Sequence, residues 1–278
     1  MNADILAETA ARLEAFFGNA LDSLVVERAV VGLFFTGVKL SDGSGGLCFT
    51  PVKAIPQAVC CPSEAKAAPF SGSLANRPVR KYIEDLSHEN ILRRTLAIAA
   101  VNALSASYWK TGAEKGYTLE TGIDAFDTID PKPGQKTVVV GALVPMLKKL
   151  LAAEADFTVL EQDPSTLKAH EMPYFLPPER AEEAVPQANI LVITGVTILN
   201  GTLPRLLAMA RKDAHILITG PTASMLPDAF FSRGVSCMGG ILVTKPDTLL
   251  DVISEAGSGY HFFGKSAERL VIRRGYAP

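Results

Sequence analysis

Residues that hold soft metals are scarce in this chain, which has four cysteines and four histidines among 278 residues. The cysteines, Cys48, Cys60, Cys61 and Cys237, form no C-x-x-C pair, and neighbours such as Cys60 and Cys61 point in opposite directions in an extended chain. Neither a zinc knuckle nor a disulfide framework is encoded, and the thiols are expected to be ordinary ones in a reducing compartment. A charge excess is lacking too. The 27 basic and 29 acidic side chains leave a net charge of -2. A nucleic-acid binder needs a basic face to neutralise phosphates, so no nucleic-acid partner is expected. The opening MNADILAETAARLEAFFG has no basic segment of the signal-peptide kind. The uncharged run from Thr95 to Trp109 is too short for a bilayer. The expectation is a soluble, cytoplasmic protein with no membrane partner. H-E-x-x-H, P-loop and G-x-S-x-G patterns are also missing.

What is present is apolar patterning. Hydrophobic residues make up 48% of the chain, enough for a real core. Ile5, Leu6, Ala10, Leu13, Phe16 and Phe17 recur at helical spacing. A β-rich stretch, VVERAVVGLFFTGVKL, then meets the turn SDGSGG and returns as GLCFTPVK, with Gly43, Gly45 and Gly46 expected to supply positive φ. A loop from Ile55 to Ser73 follows. Pro78 is expected to open a short helix, and Ser87 to cap the next, ENILRRTLAIAAVNALSA. That helix is apolar on most sides after Arg94 and should be buried there. The first region is therefore an α+β module spanning 1–122. Residues of about 117–135 read as a linker, because TGIDAFDTIDPKPGQK has turn residues throughout.

From 123 to 278 the pattern changes. TVVVG, FTVLE, NILVIT and HILITG are short apolar runs that alternate with helical segments, and ILVTK is a further strand candidate. Strands buried on both faces and alternating with helices give a Rossmann-like, mostly parallel sheet flanked by helices. Ligands of such sheets bind beyond the carboxyl ends of the strands. Those ends carry Gly141, Glu161, Thr194 with Gly195, and Gly220 with Pro221.

Glu161 follows Gly141 by 20 positions, the spacing of a ribose-binding acid in a dinucleotide-binding unit. The first turn, however, reads GALVPM. Leu143 replaces the second glycine and Pro145 removes a backbone N–H, so NAD is not expected. In TGVTILNGTLPRLL, Thr197, Asn200, Gly201 and Thr202 precede a helix that Thr202 is expected to cap, with Pro204 at its second position. Thr222 and Ser224 offer hydroxyls in GPTASMLP, and Gly239 and Gly240 offer close backbone approach. His215 opens a buried strand and reads as structural, while His170 and His261 lie in loops.

These strings resemble a known family. TGVTILNGTLPRLL and ITGPTASMLPDAFFSRGVSCMGGILV are similar to the C-terminal signature of the heavy-metal-chelation proteins of unknown function, whose usual strings run close to TGTT-x-x-NGT and GPSAP-x-x-P. Val196, Thr222 and Ser224 depart from that pattern. GLFFTGVKLSDGSGGLCFT and LAIAAVNAL match in style, so the likeness spans nearly the whole chain. It implies an enolase N-terminal-like α+β domain packed on the Rossmann-like domain, with a cleft between them, and the handling of a metal or metal-chelate. Having no Cys/His cluster, the chain would offer a metal oxygen ligands such as Glu161, or would hold an organic chelator by hydrogen bonds.

The expected function is binding of a small polar or anionic ligand, a metal or a metal-chelating molecule among them, with catalysis on it left open. Two alternatives stand beside it: a nucleotide-cofactor oxidoreductase or transferase, and a non-catalytic assembly protein. Self-association into a homo-oligomer also stays open. The expected site comprises Gly141, Glu161, Thr194, Gly195, Thr197, Asn200, Gly201, Thr202, Gly220, Pro221 and Thr222, with Thr36 and Lys39 from the N-terminal module forming the opposite wall.

Overall fold

The structure, a computed structural model, describes residues 4–55, 71–113 and 116–275. Cys60, Cys61 and most of the loop from Ile55 to Ser73 lie outside the described residues.

The N-terminal part begins with α1 (Ile5–Phe17) and α2 (Ala20–Ser23), followed by β1 (Val25–Val31), β2 (Phe35–Leu40), β3 (Gly45–Phe49) and β4 (Arg77–Pro78), then α3 (Arg80–Ile83) and α4 (Ile91–Lys110). Its four strands form an antiparallel sheet in the order β3-β2-β1-β4. The second part contains β5 (Tyr117–Thr121), β6 (Lys136–Val140), α5 (Val144–Ala152), β7 (Asp156–Leu160), β8 (Phe175–Leu176), α6 (Ala181–Ala184), β9 (Ile190–Thr194) and α7 (Val196–Leu199). It continues through α8 (Leu203–Met209), β10 (His215–Thr219), α9 (Asp228–Phe231), β11 (Cys237–Val243), α10 (Pro246–Ser254), α11 (Gly259–Phe262) and β12 (Ala267–Arg274). Its eight strands run in the order β5-β12-β11-β10-β9-β6-β7-β8. Neighbours from β11 to β8 are parallel, whereas β12 pairs antiparallel with both β11 and β5. The α+β module followed by a Rossmann-like, mostly parallel sheet flanked by helices is the architecture that the patterning implies.

Every residue of α4 from Thr95 to Trp109 is buried. The reason is position. One side of α4 meets β2 and β3, and its apolar residues belong to the same continuous cluster as Val138, Leu191, Ile193, Ile216 and Ile218 on one face of the large sheet. A helix enclosed on all sides needs apolar residues all round. The opposite sheet face, with Val139, Val159, Val192 and Leu217, packs against Met146, Leu147 and Leu150 of α5.

Several local expectations are corrected. Of the three hairpin glycines only Gly43 has positive φ, +77°. Gly46 lies within β3, where a Cβ would stand 2.3 Å from Ala103 N and Ala99 O of α4, so its role is close packing. A second hairpin turn at Gly32 splits the long β-rich stretch in two. Pro78 ends β4 and opens no helix; α3 starts two residues later, capped by Val79. Asn90, and not Ser87, caps α4, accepting from Leu92 N and Arg93 N, because its short amide reaches the first unpaired N–H groups. The segment expected as a linker contains β5, held by β12, whose AERLVIRR carries a central buried run, Leu270–Ile272, and no apolar alternation.

Candidate functional site at the carboxyl edge of the large sheet

The chain adds β7 and β8 on one side of β6, then returns to add β9, β10 and β11 on the other. The topological switch point therefore lies between β6 and β9, whose carboxyl ends are Gly141 and Thr194. In open α/β sheets the crevice at such a point is where ligands bind. Gly141 has φ +96°, and a Cβ there would lie 2.9 Å from Thr194 Cγ2, so only glycine fits beside this threonine. Gly195 N donates to Thr219 O at 2.7 Å, and Gly220 has φ +125°. Gly141, Glu161, Thr194, Gly195 and Gly220 thus share one edge, as strand polarity demands.

Glu161 is the organising group. Its Oε2 accepts from Ala142 N at 2.7 Å and its Oε1 from Asp163 N at 3.0 Å. Both bonds are charge-assisted and tie the end of β7 to the first turn after β6. The N–H that would meet a pyrophosphate in a dinucleotide fold is thereby satisfied by the carboxylate that would meet the ribose.

The N-terminal part reaches this edge through Phe49 and the residues after it. Phe49 N donates to Thr222 Oγ1 at 3.0 Å. Further on, Lys53 Nζ lies 2.5 Å from Asp163 Oδ2. The stretch between them runs from the end of β10 to the end of β7. Asp163 also accepts from Ser165 N and Ser165 Oγ. The Lys53 ammonium first, and Ser165 after it, hold the Asp163 carboxyl down at about 2. Beneath, buried Asn102 of α4 donates from Nδ2 to Leu47 O at 2.6 Å, Thr222 O at 3.1 Å and Pro221 O at 3.3 Å. One side chain thus joins β3 to the Gly220–Thr222 turn.

Other expected site residues are placed elsewhere. Thr36 is buried and bonded to Thr50 Oγ1. Lys39 is held by Asp247 at 2.8 Å and Glu27 at 3.0 Å, beside α10. The residues after Thr194 form helix α7 and not a loop. Thr197 is buried there with Oγ1 donating to Thr194 O. Asn200 Oδ1 accepts both N–H and Oγ–H of Thr202, so Asn200, and not the Thr202 side chain, organises the start of α8. Gly201 lines a cavity of about 260 Å³ with Asp4, Ile5, Leu6, Leu203 and Pro204, facing α1 and not the strand edge. A second cavity, of about 250 Å³, lies between α1 and α9. Gly239 and Gly240 lie inside β11, where their close approach is to Ala125 and to Ser224. Lys53, Asp163 and Asn102 escape sequence reasoning. Asp163-Pro164-Ser165 carries a turn signal, and Asn102 is a lone amide in an apolar helix, but Lys53 has no local signal.

The donor set does not fit a heavy-metal centre among the described residues. No group of three His, Cys, Asp or Glu converges there. Cys48 and Cys237 are buried, and desolvation pushes both thiols upward, away from the thiolate that binds soft metals. Burial, and next Arg273, lowers the His215 pKa at the opposite edge of the sheet. His88 and His261 each accept a backbone N–H at Nδ1. Both oxygens of Glu161 are engaged.

Fold and edge together define a two-part protein in which an α+β module is packed on a Rossmann-like sheet. Two family models, each described as "Putative heavy-metal chelation", match residues 15–105 and 124–272. The chain belongs to this family. It is 28% identical over 192 residues to an uncharacterized protein of Methanocaldococcus jannaschii, covering 69% of this chain and 70% of that one. Its fold is that of a DUF364-family protein of unknown function from Pyrococcus horikoshii, with TM-score 0.75 and 21% identity over 98% of this chain and 100% of that one. A second such protein, from Desulfitobacterium hafniense, gives TM-score 0.70 and 18% identity over 95% and 99%. No helix among the described residues is long and apolar enough to cross a membrane.

Proposed function

We propose that the chain binds a small polar or anionic ligand, a chelator or a metal carried by one, at the carboxyl edge of the large sheet. The observation that carries this reading is the meeting of both parts there: Lys53 of the N-terminal part contacts Asp163, which follows the strand beside the switch point. Open α/β sheets bind ligands at this place, and the N-terminal part lies against it through Phe49 and Lys53. The family description points to metal handling, while the donors among the described residues favour a metal that arrives with its own organic ligands. The N-terminal part, α1 to α4, and the second part, β5 to β12, act as the two walls.

Native mass spectrometry of freshly purified protein, with elemental analysis in parallel, tests the reading. The expected result is a co-purifying anionic small molecule, with any metal leaving when that molecule is dialysed away. Stoichiometric metal retained by protein stripped of organic ligand would overturn it.

A further inference from the structure

Resting on that reading, we infer that Lys53 is the specificity-determining residue of this edge, exchanging the Asp163 carboxylate for a carboxylate or phosphate group of the ligand. Three observations carry it. First, Lys53 is 83% exposed and is held by one short ion pair. An exposed pair adds little to stability, so a change of partner costs little. Second, Asp163 does not depend on Lys53 for its place. Its Oδ1 accepts from Ser165 N at 3.0 Å and Ser165 Oγ at 2.5 Å, capping the turn Pro164–Thr166. The loop keeps its shape when the lysine turns away. Third, neighbouring charges are engaged more firmly. Both Glu161 oxygens hold backbone N–H groups. Lys39, at 20% exposure, is shared by two carboxylates. Arg94 donates to Leu199 O and His88 O. The flexible four-carbon stem of a lysine lets its ammonium sweep toward the switch point while the backbone stays fixed.

An exchangeable cation differs from a structural clasp in how its two partners respond to substitution. Calorimetric titration of the full chain with citrate and with inorganic phosphate, at low and moderate salt, separates the two. If Lys53 changes partner, Lys53→Ala weakens binding about tenfold and flattens its salt dependence. Asp163→Asn removes the competing carboxylate, keeps an amide that caps the turn, and tightens binding. Both variants should melt close to the wild type. Equal weakening by Lys53→Ala and Asp163→Asn would show a fixed clasp and overturn the inference, as would unchanged affinity in Lys53→Ala. If neither citrate nor phosphate binds the wild type, the anion-binding reading beneath it falls.

Discussion

The carboxylate of Glu161 sits on the backbone N–H of Ala142 at 2.7 Å, across the gap between the ends of β7 and β6. An acid at this spacing would meet a ribose in a nucleotide enzyme. Here it closes the turn it would otherwise leave open for a ligand.

Glu161→Gln should therefore cost stability. The amide keeps one acceptor oxygen but turns an NH2 toward one of the two backbone donors, Ala142 N or Asp163 N. A loss of about 1–3 kcal/mol is expected in urea unfolding. Millimolar NAD(H) should leave the melting temperature of the wild type unchanged; a clear upward shift would reopen the nucleotide reading.

Asn102 joins the two parts, and its removal should be felt at once. Asn102→Ala strips donors from the carbonyls of Leu47, Pro221 and Thr222 in a buried position. The expected loss is about 2–3 kcal/mol. Asn102→Asp should be worse, because a carboxylate would face the same carbonyls. A neutral outcome for both in denaturant titrations would show that the contact between β3 and the Gly220–Thr222 turn stands on apolar packing alone.

Acid should weaken the Lys53–Asp163 ion pair. The folded Asp163 carboxyl titrates at about 2, below its ordinary 3.8, so the unfolded chain takes up the proton first. The contribution is complete above about pH 4–5 and fades as pH falls through 2. The readout is the titration itself and not the melting temperature, because the exposed pair adds little to stability. An NMR titration of the Asp163 carboxyl carbon with a midpoint near 4 would contradict the pairing.

Thiol labelling of the folded protein should spare Cys48 and Cys237. Cys48 and Cys237 are buried with their thiols pushed upward, so a thiolate-directed reagent should modify them only on unfolding. Mass mapping after native labelling checks this. Rapid modification of Cys48 in folded protein would mean that the contact between β3 and α4 opens readily.

Much of the architecture was legible because it rests on local periodicity. The apolar runs of β6, β7, β9 and β10, each closed by a turn residue, state a parallel sheet and place Gly141, Glu161, Thr194 and Gly220 on one edge. The unbroken apolar stretch from Thr95 announced an enclosed helix. Where signals were short or ambiguous, reading by type misplaced them. Gly46 looked like a turn glycine because composition does not distinguish positive φ from close packing; only the backbone of α4, 2.3 Å from its absent Cβ, decides. Thr36 and Lys39 lie on the strand expected to form the opposite wall, yet Lys39 turns to Asp247, 208 residues away.

By itself the sequence determined the two-part organisation, the strand polarity and the family, because each depends on patterns that repeat along the chain. Tertiary structure alone decided which residues of the N-terminal part reach the sheet edge, that Asn102 bridges β3 to the Gly220–Thr222 turn, and that Glu161 engages the backbone. Those facts depend on long-range pairings, Lys53 with Asp163 and Asn102 with Pro221 and Thr222, that form only when α4 is enclosed between the two sheets and brings β3 across the strand ends.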